Sequence, residues 1–270
     1  MASKTASPIR TRVWRLPDDT LLFVRFTFGQ QMQHWVLLLA FSALAVTGLT
    51  EKFSEAGWAM FLINLFGGLD VVQVVHRFFS IVLIALAIYH AVSAIYSRLV
   101  NSRPWGMAIG KKDLRSAAQL LGYDLGLTSQ RPRFGHYTIE EKITYWITAL
   151  TIVIMAATGL LMWFPTRATE FLPGTVVPFA RIVHGWQAII IVVFVVIVHL
   201  CQTILRAFNP SIFTGHLPEE QMRREHAVEY EAIMEQLNVP SAIARAQTEA
   251  LAASADVTEA APEAATPARS

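Results

Sequence analysis

The chain has 270 residues, 54% of them hydrophobic and only 16% charged, with a mean hydropathy of +0.43. That balance fits a polytopic membrane protein better than a soluble domain. A net charge of +2 is too small to point to nucleic acid, and the one cysteine, Cys201, excludes an intrachain disulfide and a four-cysteine iron–sulfur cluster.

Residues 1–30 form a basic segment with Lys4, Arg10, Arg12, Arg15 and Arg25. It runs straight into an apolar stretch without a short apolar core and cleavage site, so no cleavable signal peptide is expected. Four windows, at roughly 32–50, 74–97, 143–164 and 182–205, are long enough to cross a bilayer core, which takes about 20 apolar residues. GWAMFLINLFGGL (57–69) is too short and glycine-broken to span, and reads as an interfacial or re-entrant piece. The central loop (98–142) carries eight Lys or Arg, whereas the other two loops carry only Lys52 and then Arg167 and Arg181. The positive-inside rule therefore places both termini and the central loop in the cytoplasm.

The central loop contains a plausible surface helix (111–123) followed by the turn-rich SQRPRFGHYT. After the fourth span, LPEEQMRREHAVEYEAIMEQL (217–237) reads as a charged soluble helix. From about 240 the chain turns Ala/Glu/Thr/Pro-rich, with too little apolar content to fold. The expected organisation is a basic segment (1–30), a four-helix transmembrane domain (31–206), a cytoplasmic charged helix (207–240) and a disordered tail (241–270).

The spans repeat. The first ends ALAVTGL (43–49) and the third ends AATGLL (156–161). Fourteen residues before Gly48 stand His34 and Trp35; fourteen before Gly159 stand Tyr145 and Trp146. The second and fourth spans each open on a histidine, His76 and His184, and carry another near the end, His90 and His199. Two two-helix units in parallel are implied, with Gly48, Gly159 and nearby small residues allowing close approach of helices or of a flat cofactor.

Five of the eight histidines lie in or at the ends of apolar segments, where an imidazole is costly and usually functional. Fourteen residues of helix rise about 21 Å and return to within about 40° of the same face; fifteen rise about 22 Å and land about 60° away. His76 and His184 therefore meet near the outer surface, and His90 and His199 near the inner one. Each pair would clamp one iron axially, which makes two bis-histidine haems the expected cofactors. Without a C-x-x-C-H motif they would be non-covalent haem b. Arg77 and Arg181 are placed to pair with haem propionates. His34 lies at the inner depth too. The repeat favours His90 with His199, and the residues alone leave His34 and His90 as alternatives.

Gly135, His136, Thr138, Glu141 and Lys142 cluster at the cytoplasmic mouth of the third span, beside the inner histidines. A polar mouth against an apolar bundle would offer a quinone hydrogen bonds and a proton route.

The stretches QHW…TGL (33–49), VVHRFF (74–79), GHYTIEEKITYW (135–146), TGLLMWFP (158–165) and the helix bearing His184 and His199 resemble the cytochrome b (gamma) subunits of respiratory formate dehydrogenases and related membrane hydrogenases. The similarity covers roughly residues 25–205. TGHLPEEQMRREHAVEYE (214–231) is similar to the tail of a branch associated with multihaem c-type cytochromes. The resemblance implies an all-α, four-helix, di-haem b subunit of the bacterial inner membrane, linking menaquinone or ubiquinone to a periplasmic redox subunit. That partner would be an iron–sulfur/molybdenum enzyme, a hydrogenase or a multihaem cytochrome. It implies His76 and His184 for the outer haem, His34 and His199 for the inner one, and a quinone pocket at 135–142. Thr138 stands where some members have asparagine, and Glu140 where they have glycine. Two other classes fit the composition: a stand-alone quinone-linked oxidoreductase, and a haem-free membrane anchor or proton relay.

Overall fold

The computed structural model describes residues 13–16, 21–102, 105–206 and 208–237; the tail expected at 241–270 and most of the basic segment before residue 21 lie outside the described residues. Four helices are long and apolar enough to cross a membrane. They are α1 (Phe28–Lys52), α3 (Leu69–Leu99), α5 (Ile139–Trp163) and the continuous helix from Val176 to Ile204, which starts as α7 (Val176–Phe194). α1 lies along α3, α5 lies along α7, and α1 also meets α7. The two-helix units read from the repeat are therefore the packing units.

Large side chains such as Leu39, Val74, Leu150, Val153 and Ile182 point outward, while the helix contacts bury Ala40, Thr47, Thr50, Val72, Thr151, Thr158 and Ala180. An outside of leucine and valine around small buried residues is suited to hydrocarbon, where backbone groups pair within each helix and small residues let helices approach. Two of the buried threonines stay compatible with this setting by turning their hydroxyls onto their own helix. Thr47 Oγ1 donates to the Ala43 carbonyl at 2.7 Å and Thr158 Oγ1 to the Ile154 carbonyl at 2.7 Å.

The piece judged too short to span is α2 (Gly57–Phe66), ended by Gly67 at φ 92. A helix of ten residues covers only about half a bilayer core. α6 (Pro165–Phe171) opens on proline at its first turn, where a missing N–H costs nothing. Beyond α7 the fourth span widens into π-helical turns over Val195–His199 and Cys201–Arg206. Insertions of this type re-aim side chains and cluster at functional positions.

Two features were not expected from sequence. A three-stranded antiparallel sheet joins β1 (Val13–Arg15), β2 (Leu21–Val24) and β3 (His216–Pro218), with Phe23 opposite both Val13 and Leu217. The stretch read as one charged helix is divided. After the short helix α8 (Ser211–Thr214) and β3 come α9 (Glu219–Glu225), a break at His226, and a further helix, α10 (227–237). Phe23, Leu217, Met222 and Ile233 form the core of this cap, each buried side chain contributing about 2 kcal/mol. The cap sits at the end where α1 begins. α4 (Lys111–Asp124) packs against the start of α5, burying Leu120 against Phe134 and Ile139.

Candidate functional site

The four spans enclose a cavity of ≈ 2560 Å³ that touches His34, His76, His90, His184 and His199. Near the end of α1, His76 of α3 faces His184 of α7 with ring centres 6.3 Å apart. Near the start of α1, His34 faces His199, ring centres 6.5 Å apart. His184 and His199 are fifteen residues apart on one helix, so the pairs are separated by about 22 Å along the bundle.

The TGL motifs build the first pair. Thr47 Oγ1 lies 2.8 Å from His76 Nδ1, and Thr158 Oγ1 lies 2.9 Å from His184 Nδ1. The next residue in each motif is a glycine against which the same ring rests. A Cβ on Gly48 would stand 3.0 Å from His76 Cε1, and one on Gly159 would stand 3.4 Å from His184 Cε1. The small-residue positions noted in the sequence are therefore imidazole seats.

The other pair is held by aromatic rings. Phe213 meets His34 edge-on at 5.4 Å and Trp35 at 4.8 Å. Nδ1 of His34 is buried without a hydrogen-bond partner among the described residues. His90 is placed differently. Its Nδ1–H donates to Gln33 Oε1 (2.8 Å), and its Nε2 accepts from the Tyr145 hydroxyl (3.2 Å). Both nitrogens are in use. Tyr145 stands where the repeat puts His34 in the first unit, so the second unit pairs tyrosine with His90 where the first unit's position pairs histidine with His199.

Haem fits this arrangement by two observations. A metal–nitrogen bond of about 2 Å to each ring would place imidazole centres roughly 6 Å apart, as found at both pairs. The unpartnered Nδ1 of His34 is a costly polar atom for a cavity wall unless a ligand sits in the cavity.

Arg77 and Arg181 both line the cavity beside the His76–His184 pair; the Arg77 guanidinium also lies 5.7 Å from the Trp163 ring centre. Lys52 joins them, its Nζ 5.1 Å from the Trp186 ring centre.

The residues expected around a quinone serve structural contacts as well. Thr138 caps α5, its Oγ1 accepting from Glu141 N–H while the Glu141 carboxylate accepts from Thr138 N–H. Both line the cavity. Lys142 turns away from it and donates to Asp113 (2.9 Å) and the Ala108 carbonyl (3.0 Å), tying α4 to α5. Burial would raise the Asp113 carboxyl, but the bonds from Lys142 and Gly110 N–H hold it below the usual range.

Behind this mouth is a buried charged cluster in which Arg25, His226 and Glu229, which the sequence alone did not bring here, join His136 and Glu141. Arg25, side chain 1% exposed, donates to Glu229 (2.7 Å) and the His136 carbonyl and approaches Glu141 at 3.9 Å. His136 Nδ1–H lies 2.7 Å from the Glu229 carboxylate. Burial pushes Glu229 upward, yet His136 and Arg25 together hold it below its ordinary range. His226 Nδ1–H donates to the Gly135 carbonyl (2.9 Å), and burial, with Arg25 beside it, pushes His226 down to about 4. Tyr137 is raised by burial. The cluster joins the segment before α1, the turn before α5 and α10. Its one sequence signal was the polarity of TGHLPEEQMRREHAVEYE against GHYTIEEK, stretches 80 residues apart.

A family model described as prokaryotic cytochrome b561 matches residues 105–213. The chain is 26% identical over 183 residues to the cytochrome b556(fdo) subunit of formate dehydrogenase from Escherichia coli K12, covering 67% of this chain and 78% of that one. It is 25% identical over 179 residues to the cytochrome b556(Fdn) subunit of the nitrate-inducible formate dehydrogenase of the same organism, covering 66% and 76%. A Haemophilus influenzae formate dehydrogenase cytochrome b556 subunit is 25% identical over 149 residues, covering 55% and 57%. The family resemblance read from the sequence is borne out. With four apolar spans, the chain is a multi-pass b-type cytochrome of the inner membrane, and its role is membrane electron transfer.

Proposed function

We propose that this cytochrome holds two haems b, each between two histidines, and moves electrons between the quinone pool and a redox subunit on the outer face. The supporting observation is the pair of facing imidazole couples, 6.3 and 6.5 Å between ring centres, at opposite ends of one intramembrane cavity. His76 and His184 would hold the outer haem, and His34 and His199 the inner one. When bound, haem would supply one-electron redox chemistry, with one pair of imidazoles holding each iron. The lysine and arginine distribution puts the cap, α4 and both termini in the cytoplasm. Arg77, Arg181 and Lys52 then lie outward, placed to pair with haem propionates.

The quinone head group is assigned to the cytoplasmic mouth. There Gln33, His90, Tyr145, Thr138 and Glu141 give an otherwise apolar cavity a polar wall. Such a wall supplies donors for quinone carbonyls, and the adjoining charged cluster reaches water for proton exchange. Lys142, bound to Asp113, contributes by fixing α4 against α5. The domain arrangement follows: a four-helix haem domain over residues 31–206, closed on its cytoplasmic side by the cap. The outer partner is a subunit with its own redox centre; formate dehydrogenases are the assemblies of the relatives and the first partner to test.

The test is stopped-flow reduction of the haems by a short-chain quinol in nanodiscs. Tyr145→Phe and His90→Gln should retain two haems and slow reduction roughly tenfold, the loss of one hydrogen bond of about 1–1.5 kcal/mol. Unchanged rates in both variants would remove the quinone from this mouth.

A further inference from the structure

The threonines of the two TGL motifs form a matched pair, related by the repeat. Each hydroxyl already directs its proton at a carbonyl of its own helix, Ala43 for Thr47 and Ile154 for Thr158, both at 2.7 Å. A hydroxyl has one proton and two lone pairs. With the proton so placed, the oxygen facing His76 at 2.8 Å and His184 at 2.9 Å is an acceptor, and Nδ1 of each ring must be the donor. The Met155 carbonyl, which only accepts, also faces the His184 ring. The adjacent glycines bring the ring close enough for the bond: any side chain at 48 would need His76 to move by a few tenths of an ångström.

We propose that Thr47 and Thr158 are positioning residues that fix His76 and His184 as the Nδ1–H tautomer, leaving Nε2 of each free to bind the outer haem iron. This rests on the reading of His76 and His184 as its ligands. A protonated Nδ1 with a good acceptor makes the imidazole more electron-rich and fixes its ring plane. A more basic ligand favours ferric over ferrous iron, so the threonines hold the outer haem at a lower potential. In the inner pair, Nδ1 of His34 has no such acceptor and is without a partner among the described residues. The two sites therefore differ in how the protein tunes them, although their ring separations match. The sequence carries this as a repeated T-G dipeptide whose threonine faces the histidine of the following span.

The experiment uses the full chain in nanodiscs. Thr47→Val and Thr158→Val keep side-chain shape and remove the acceptor; Thr47→Ser restores it. Redox titration is followed optically with His34 intact, to read both haems, and again in the His34→Ala background, which keeps only the outer one. The valine variants are expected to raise the outer midpoint potential, leave the inner one unchanged, and speed loss of the outer haem to apomyoglobin by about 10-fold or more. Thr47→Ser is expected to match the wild type. Two haems with unchanged potentials and transfer rates in both valine variants would overturn the proposal, as would equal shifts at both haems or a serine variant that behaves like valine. Failure of the underlying reading looks different: His76→Ala would then retain both haems.

Discussion

Acidification should loosen the cytoplasmic cap through His226. The ring is 1% exposed, donates to the Gly135 carbonyl and has Arg25, His136 and Glu229 around it. Its pKa falls from 6.5 to about 4 on folding, because burial and the Arg25 charge favour the neutral ring. A base depressed in the folded state contributes full stability above its unfolded value, and that stability is lost as pH falls from 6.5 towards 4. The limit is about 3 kcal/mol, and about 2 kcal/mol is gone by pH 5, a roughly 30-fold rise in the open population. Glu229, held below its ordinary 4.5, adds its own loss only below about pH 4.5, and a variant without a titrating group at 226 separates the histidine from the other groups of the cluster. Hydrogen exchange of residues 216–237, corrected for the intrinsic pH dependence, reads this opening directly. His226→Asn retains a donor for Gly135 without titrating, and its exchange should be flat over the same window. A flat wild type, or an asparagine variant with the wild-type slope, would refute the reasoning.

Gly48→Ala and Gly159→Ala should separate despite the repeat. The first brings a Cβ to 3.0 Å from His76 and should weaken outer-haem retention; the second meets His184 at 3.4 Å, an ordinary contact, and should leave haem content near the wild type. Asp113→Asn removes the charge partner of Lys142 and should free α4 by about 1.5–3 kcal/mol, read as 10- to 100-fold faster trypsin cleavage at Lys111, Lys112 or Arg115. Arg25→Met strands Glu229 in a buried site and should cost about 3–5 kcal/mol of cap stability, visible as lost exchange protection in β2 and β3.

The spans, the repeat and the histidine spacing were legible because bilayer thickness and helix rise convert directly into residue counts. His76 and His184 were unambiguous, since each follows a TGL-ended span and opens the next. His90 was ambiguous for a physical reason: spacing reports depth and face, and His90 shares both with His199. What separates them is the side chain opposite, Tyr145 for His90 and His34 for His199. That fact depends on which helices are neighbours. The threonines were read only as small residues, because the repeated T-G dipeptide reports their position and not the ring that each hydroxyl faces. The cap was hidden because its strands are three and four residues long and pair across about 190 residues. Arg25 counted as one more positive-inside charge, whereas the fold buries it against Glu229.

The most direct test of the two-haem assignment is haem quantification with a dithionite-reduced spectrum on the wild type, His34→Ala, His90→Ala and His199→Ala. Two haems b per chain are expected in the wild type and in His90→Ala, and one in each of the His34 and His199 variants. Loss of a haem in His90→Ala with both retained in His34→Ala would reverse the inner assignment, and a wild type without haem would contradict the function itself.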